Sequence, residues 1–279
     1  MNASYDLRGH LFMVTGAGSG IGAATAELLA ACGAKTLLVS RNLEKLQKVI
    51  AGFTHAQNAE AIQVDVSDEQ QVEALLNDIG KRYGRLDGAF NNAGIFGEFG
   101  MLEDDSADNF DAVIGTNVKG VWACMKHQLR LMKDSGGSIV NCSSVAGHQG
   151  HAMSPIYSAS KHAIIGLSKS ASLQYASVGV RVNVLSPGST DTPILRSVYQ
   201  DEKTFQQRAS RAPMGRVGTP AEIAQAAVWL LTNASSYVNG QTLLVDGGVM
   251  AGNSPTKPQD NRKPSEENFK NKENYNVAQ

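Results

Sequence analysis

The stretch "MVTGAGSGIGAATAELLA", residues 13–30, changes character in its middle. A short apolar run ends at Thr15, glycines stand at Gly16, Gly20 and Gly22, and a helix-length segment opens near Ile21. Glycine at such a junction lets the backbone turn sharply. It also lets an anion approach the helix N-terminus, whose free N–H groups and dipole favour negative charge. A glycine cluster alone is a weak signal. The spacing departs from G-x-G-x-x-G because position 21 is Ile, and the Lys-Ser/Thr of a P-loop is lacking, which argues against a nucleoside triphosphatase.

Working outward from that turn, β-rich apolar runs alternate with helix-length segments as far as "TLLVDGG". Seven strands are expected, at 11–15, 35–40, 61–64, 86–90, 138–142, 181–185 and 242–245. Alternation of this kind predicts βαβ units, a parallel sheet and a Rossmann-type, doubly wound α/β fold. No Pro/Gly-rich linker interrupts it, so residues 1–252 read as one domain. Two segments break the rhythm. "PILRSVYQDEKTFQQRASRAPMGRVG" is polar and helical and follows the sixth strand, where a sheet's carboxyl edge exposes it; a movable lid over about 192–218 is expected, with a plain surface helix pair as the alternative. Residues 253–279 carry mixed charge, three prolines and few large aliphatic side chains, and are expected to form a flexible polar tail.

Composition narrows the classes. At 279 residues, 42% apolar and with 28 glycines, the chain can bury a large core. Lys plus Arg is 25 against 26 for Asp plus Glu, a net charge of −1, so neither nucleic acid nor a membrane surface is an expected partner. Cys32, Cys124 and Cys142 are odd in number, far apart and set in apolar runs, which predicts reduced core thiols and a cytoplasmic protein. The apolar run near the N-terminus is four residues long, too short for a signal core or a membrane span.

A second pattern concerns chemistry. In "SSVAGHQGHAMSPIYSASK", residues 143–161, Tyr157 and Lys161 are four apart, so a helix stacks them on one face. A free phenol has a pKa of about 10 and is only about 0.1% ionised at neutral pH. A nearby ammonium stabilises the phenolate and makes the group a usable acid or base. Alone, Y-x-x-x-K is common on solvated helices.

Its neighbours change that. T-G-x-x-x-G-I-G, from Thr15 to Gly22, resembles the cofactor turn of the short-chain dehydrogenase/reductase family, and the likeness runs to about Gly248. Asn91, Asn92, Ala93 and Gly94 are similar to the family's N-N-A-G, Asn117 stands where its helical active-site Asn lies, and Ser144 precedes Tyr157 by thirteen residues. "SPGSTDTP" resembles the P-G turn whose threonine contacts the nicotinamide amide. The resemblance implies hydride transfer between a nicotinamide cofactor and a ketone or secondary alcohol. Tyr157 is then general acid and base, Lys161 the group that lowers its pKa, Ser144 the hydrogen-bond donor to the substrate oxygen, and Asn117 the holder of a proton-relay water. From the residues alone, Asn117 reads equally as a helix-interior polar group, and Ser143 is the neighbouring alternative to Ser144.

The implied cofactor residues are Gly16, Ser19, Gly20, Ile21 and Gly22 at the turn, Ser40 and Arg41 after the second strand, and Asp65 and Val66 after the third. Asn92, Ala93, Gly94, Tyr157, Lys161, Pro187, Gly188, Thr190 and Thr192 complete the set. "LLVSRNLEK" puts Ser40 in the slot where an acidic side chain would bind a ribose 2′-OH, with Arg41 beside it to fork onto a 2′-phosphate, so NADP is expected over NAD. Asp65 resembles the adenine-contacting Asp, while a helix N-cap at Ser67 or Asp68 is as ordinary a reading.

His148 and His151 lack a third ligand of matching spacing, so no metal is expected; they read as polar lining of the pocket or as exposed loop. Phe96, Phe99, Met153 and Tyr199 are candidates for apolar walls. The overall pattern is similar to the branch containing 3-oxoacyl-carrier-protein reductases and alcohol, sugar and steroid dehydrogenases. A non-catalytic NADPH-binding module and an extended epimerase are disfavoured by the complete tetrad and by the short chain after the sixth strand. The family resemblance also implies a homotetramer or homodimer, built on the helices carrying Asn117 and Tyr157 and on the last strand.

Overall fold

Every strand runs parallel in a seven-stranded sheet of order β3-β2-β1-β4-β5-β6-β7, as seen in a computed structural model that describes residues 5–252. The strands are β1 (Leu11–Thr15), β2 (Lys35–Ser40), β3 (Ala59–Gln63), β4 (Gly88–Asn91), β5 (Gly137–Cys142), β6 (Val180–Pro187) and β7 (Thr242–Val245). Between them run α1 (Gly20–Ala31), α2 (Leu43–Ala51), α3 (Glu69–Tyr83), α4 (Ala107–Ile114), α5 (Gly120–Met132), α6 (Pro155–Tyr175), α7 (Pro193–Val198), α8 (Glu202–Ala209) and α9 (Pro220–Leu231). The tail expected at 253–279 lies outside the described residues.

Both faces of the sheet are covered, which is why the central strand β1 reads as an unbroken apolar run and not as an alternating one. In β1, Leu11 and Met13 join the core formed with α3, α5 and α6, while Phe12 and Val14 join the core formed with α1, α2 and α9. All five residues of β1 are buried. Reversal of strand order between β1 and β4 opens a crevice at the carboxyl ends of the strands, and such a crevice is where ligands bind in open α/β sheets.

The seven strands and their parallel direction agree with the sequence pattern; bounds shift by one or two residues at β3, β4, β5 and β6, and two of these shifts have a clear cause. β3 spans 59–63 and not 61–64, because backbone pairing to β2 extends through Glu60, opposite Leu37. On this edge strand Glu60 stays near the surface, paired with Arg82 at 2.7 Å and Lys35 at 3.3 Å. β4 starts at Gly88 and not at Leu86, since Asp87 is spent on Leu11, accepting from its N–H at 2.7 Å and donating its own N–H to the Leu11 carbonyl. The segment expected as a lid forms α7 and α8 and borders the crevice.

One buried polar cluster sets where β4 and β5 end. Asn91 donates to Gln128 Oε1 and to Asn141 Oδ1, each at 2.9 Å, and accepts from Gln128 Nε2 at 2.8 Å. Asn141 in turn donates to Ser168 Oγ at 2.9 Å, which ties β5 to α6. Since the next residues along β4 and β5 enter the crevice, the cluster fixes the height of its floor. Burying amides is tolerated only while all are partnered. Gln128→Leu therefore removes two bonds from Asn91 and is expected to lower unfolding free energy by about 1–3 kcal/mol, at unchanged m-value, in urea denaturation. A loss below about 0.5 kcal/mol would show that the cluster does not hold the strands.

Candidate active site

The glycine turn and the segment after β4 brace each other. Thr15 Oγ1 accepts from the N–H groups of Asn92 and Ala93 at 3.0 and 3.1 Å, and Asn92 Nδ2 donates to the carbonyls of Thr15 and Gly16 at 3.2 and 3.3 Å. Only glycine fits here: at Gly16, with φ +65°, a Cβ would stand 2.8 Å from Ala93 Cα, and at Gly22 it would stand 2.5 Å from the Gly16 carbonyl oxygen. α1 starts on Ser19, whose side chain caps nothing, and no acidic residue lies in its first turn. Its N-terminal N–H groups are thus left to the cleft, as an anion site requires.

The cleft holds about 530 Å³ and runs from that turn to Tyr157, with Ser144, Lys161, Gly188 and Thr192 along it. α6 carries Tyr157 and Lys161 on one face. Lys161 is buried, at 4% exposure, and its Nζ donates to the Cys142 carbonyl at 2.9 Å and sits 5.6 Å from the Tyr157 ring centroid. Ser144, two residues past the end of β5, has its side chain accepting from the Ala146 N–H. Its hydroxyl opposes the main influence on Tyr157: burial pushes the phenol well above its ordinary value, and the Ser144 hydrogen bond pulls it back in part. Lys161 is pushed down, again by burial. The protein's own groups thus do not by themselves bring about the lowering expected of Lys161 together with oxidised nicotinamide.

Ser143, the alternative to Ser144, also lines the cleft, but its hydroxyl is spent on the Lys161 carbonyl, to which it donates at 2.8 Å, and so fastens α6 to the end of β5. Asn117 sits in a single wide π-type turn, Gly115–Lys119, between α4 and α5. Its amide accepts from the Ile95 N–H at 2.8 Å and donates to the Ile95 carbonyl at 2.9 Å and to Ser160 Oγ at 3.0 Å. Such bulges recur at functional sites because they re-aim one side chain.

The adenosine-side candidates form a separate group. Ser40, Arg41, Asp65, Val66, Gly22 and Asn117 do not line the cleft, whereas Gly16, Ser19, Gly20, Ile21, Asn92, Ala93, Gly94, Pro187, Gly188, Thr190 and Thr192 do. Arg41 is exposed and in no ion pair among the described residues. Beside it, Ser40 Oγ and Lys45 Cβ face Gly18, where a Cβ would lie 3.5 and 3.6 Å from them. Asp65 accepts from the Ser67 N–H and hydroxyl, and Asp68 is the N-cap of α3.

His151 lines the cleft with Phe96, Phe99, Met153 and Tyr199, but His148 turns away to Ser186 Oγ at 3.1 Å. Among the described residues no group of three or more His, Cys, Asp or Glu stands where it could hold a metal. Cys124 and Cys142 are buried, and burial pushes the Cys124 thiol up to about 12; Cys32 is only half-buried, short of the core position expected. The sequence reading missed Arg208, Arg211, Ser189, Ile194 and Val198, all in or beside the 192–218 segment and all lining the cleft. No short-range spacing marks them, because α7 and α8 reach the site only through tertiary packing.

A sequence profile described as "Enoyl-(Acyl carrier protein) reductase" matches residues 16–250. The 2,5-dichloro-2,5-cyclohexadiene-1,4-diol dehydrogenase of Sphingobium indicum is 41% identical over 249 residues, covering 88% of this chain and 99% of that protein. The chain belongs to the short-chain dehydrogenase/reductase family. Among solved structures, levodione reductase superposes with TM-score 0.85 at 35% identity, over 88% of this chain and 100% of that one. ElxO with NADP bound superposes with TM-score 0.83 at 33% identity, over 87% and 99%. Among the described residues no helix is long and apolar enough to cross a membrane.

Proposed function

We propose that this short-chain dehydrogenase/reductase is an NADP-dependent oxidoreductase that interconverts a small ketone and its secondary alcohol, with Tyr157 as general acid and base. The carrying observation is the convergence of Tyr157, Ser144 and Lys161 on the cleft that the glycine turn opens. The residues present fit a dinucleotide: positions where a Cβ would collide with backbone form the floor, and uncapped N–H groups of α1 face a pyrophosphate. When bound, the cofactor supplies hydride to the carbonyl carbon or accepts it from the alcohol.

In reduction, Tyr157 gives its proton to the carbonyl oxygen while Ser144 donates a hydrogen bond to the charge gathering there, a contribution of about 2.7–4 kcal/mol for a well-placed donor. A phenol is protonated at neutral pH, so Tyr157 starts reduction in the acid form. In oxidation it must start as the phenolate. Lys161, and the positive charge of oxidised nicotinamide, favour that form. Asn117, next to Ser160 and Ile95, is placed to carry a water link from Lys161 outward. Support for a ring-borne alcohol comes from the cyclohexadienediol dehydrogenase likeness. A 3-oxoacyl thioester belongs in the same substrate panel, followed by NADPH absorbance.

Two features of the adenosine side support NADP. No carboxylate occupies the end of β2, where Ser40 stands, and Arg41 is free of ion pairs among the described residues. The NADP-bound ElxO structure is a further support. Assembly as a homodimer or homotetramer fits the exposed Phe110 and Trp122 on α4 and α5, Leu173 on α6 at 83% exposure, and Leu244 on the edge strand β7.

Tyr157→Phe is expected to cut turnover at least about a hundredfold in both directions, leaving NADP(H) affinity within a few fold. In the parent enzyme oxidation should quicken as pH rises and the phenol of the NADP⁺ complex ionises, a trend the Phe variant loses; residual activity above one per cent with that trend intact would exclude Tyr157 as the proton carrier. Arg41→Asp should move the ratio of kcat/KM toward NAD by at least about tenfold, and an unchanged ratio refutes the 2′-phosphate role. Light scattering on an eluting column peak should give a dimer or tetramer, and a monomer at micromolar concentration would refute the assembly.

A further inference from the structure

The charges that line the cleft are of one sign. Its charged side chains are Lys161, Arg208 and Arg211, and no Asp or Glu is among the lining residues. Lys161 is engaged at Cys142, but the two arginines are not engaged with any carboxylate among the described residues. Arg208, on α8, is half-buried; its Nε donates to Ser189 Oγ at 2.7 Å and its guanidinium carbon lies 5.9 Å from the Tyr199 ring centroid. No described protein group accepts from its Nη atoms. Arg211, exposed in the turn just after α8, adds a second guanidinium.

Acidic residues lie close by in sequence yet are committed elsewhere. Asp191 takes both arms of Arg196, at 2.8 and 2.9 Å, and Glu202 bonds Arg196 and Gln206. Asp201 caps α8 through the Thr204 N–H. A guanidinium that has lost part of its hydration and lacks a counter-charge is costly unless a ligand brings one. Its planar fork matches a carboxylate.

We propose that Arg208, with Arg211 beside it, anchors a carboxylate carried by the substrate, so that the physiological substrate is a compact keto acid or hydroxy acid. The proposal rests on the oxidoreductase reading above. Position favours the substrate over the cofactor. Arg208 and Arg211 both act on His151, which burial first and then their charge hold below its ordinary pKa. From His151 an aromatic wall leads to the reacting end: His151 to Phe99 at 6.4 Å, Phe99 to Phe96 at 5.8 Å, and Phe96 to Tyr157 at 4.5 Å between ring centroids. A ring lying on that wall would hold its carbonyl at Tyr157 and its carboxylate at Arg208. Sequence spacing could not reveal this, since Arg208 and Tyr157 are on different elements.

The test uses the full chain saturated with NADP⁺ and titrated calorimetrically with cyclohexanecarboxylate and with neutral cyclohexanecarboxamide. The acid should bind about ten- to a hundredfold more tightly, as one charge-assisted contact is worth. Arg208→Gln should erase the difference and Arg208→Lys should keep part of it. In turnover, the ratio of kcat/KM for 4-oxocyclohexanecarboxylate to that for its methyl ester should fall about ten- to a hundredfold in Arg208→Gln. Equal binding of acid and amide, a loss that falls on NADPH affinity instead, or displacement by pantetheine 4′-phosphate but not by the carboxylate would each overturn the assignment. Carboxylate binding without reduction of any ketone would sink the oxidoreductase reading and leave the subsite standing. Reduction of neutral ketones without a carboxylate preference would sink the subsite alone.

Discussion

An ammonium group held out of water at the end of a strand is the constraint on which this site depends. Lys161 reaches from α6 to the Cys142 carbonyl, and the same turn of helix is fastened to β5 when Ser143 Oγ donates to the Lys161 carbonyl. Burying the charge is costly, which is why its pKa falls. The helix is consequently pinned at one height against the sheet, and Tyr157, one turn earlier, has little freedom to move along it. The buried amides of Asn91, Gln128 and Asn141 fix the sheet to which it is pinned. Placement of the phenol is thus a product of two polar clusters inside the core, not of the cleft surface.

Much of this was readable from residue types. Glycines at 16, 20 and 22 announce a turn that no side chain could occupy, and the apolar runs of β1 and β2 carry their own boundaries, because strands buried on both faces must be apolar throughout. Edge strand β3 was harder. Its Glu60 is polar for the sake of Arg82 and Lys35, partners that lie outside the strand. The thirteen-residue spacing to Tyr157 singles out Ser144 over Ser143, yet only the packing explains the pair: the Ser143 hydroxyl is spent on the Lys161 carbonyl, whereas Ser144 accepts from the Ala146 N–H and keeps its proton to donate.

What residue types could not convey is the sign of an electrostatic balance. A four-residue step from Tyr157 to Lys161 suggests a phenol made more acidic, whereas burial in the protein alone leaves it less so. Desolvation acts on the whole ring and depends on every neighbour, including Phe96, which packs 4.5 Å away and is sixty-one residues earlier in the chain. Spacing along one helix contains none of that. The protein by itself favours the acid form, so the base form needed for oxidation draws on charge that arrives with the oxidised dinucleotide. Direction of reaction and protonation of Tyr157 are then coupled through the redox state of the cofactor.

The two halves of the cleft are also built from different materials. The cofactor half is backbone: glycine turns at Gly16, Gly20 and Gly188, braced by Thr15 and Asn92, where any added Cβ meets main chain or a buried neighbour. The other half is side chains borne on α7, α8 and the loop before α6, whose contacts with the sheet are few. A substitution among Phe99, Met153, Tyr199 or Arg208 alters shape or charge at the substrate without disturbing the ladder that holds Tyr157. On the proposed reading, chemistry and recognition are therefore separable: the sheet and its buried amides would preserve the proton and hydride geometry, while two short helices would select the carbonyl compound.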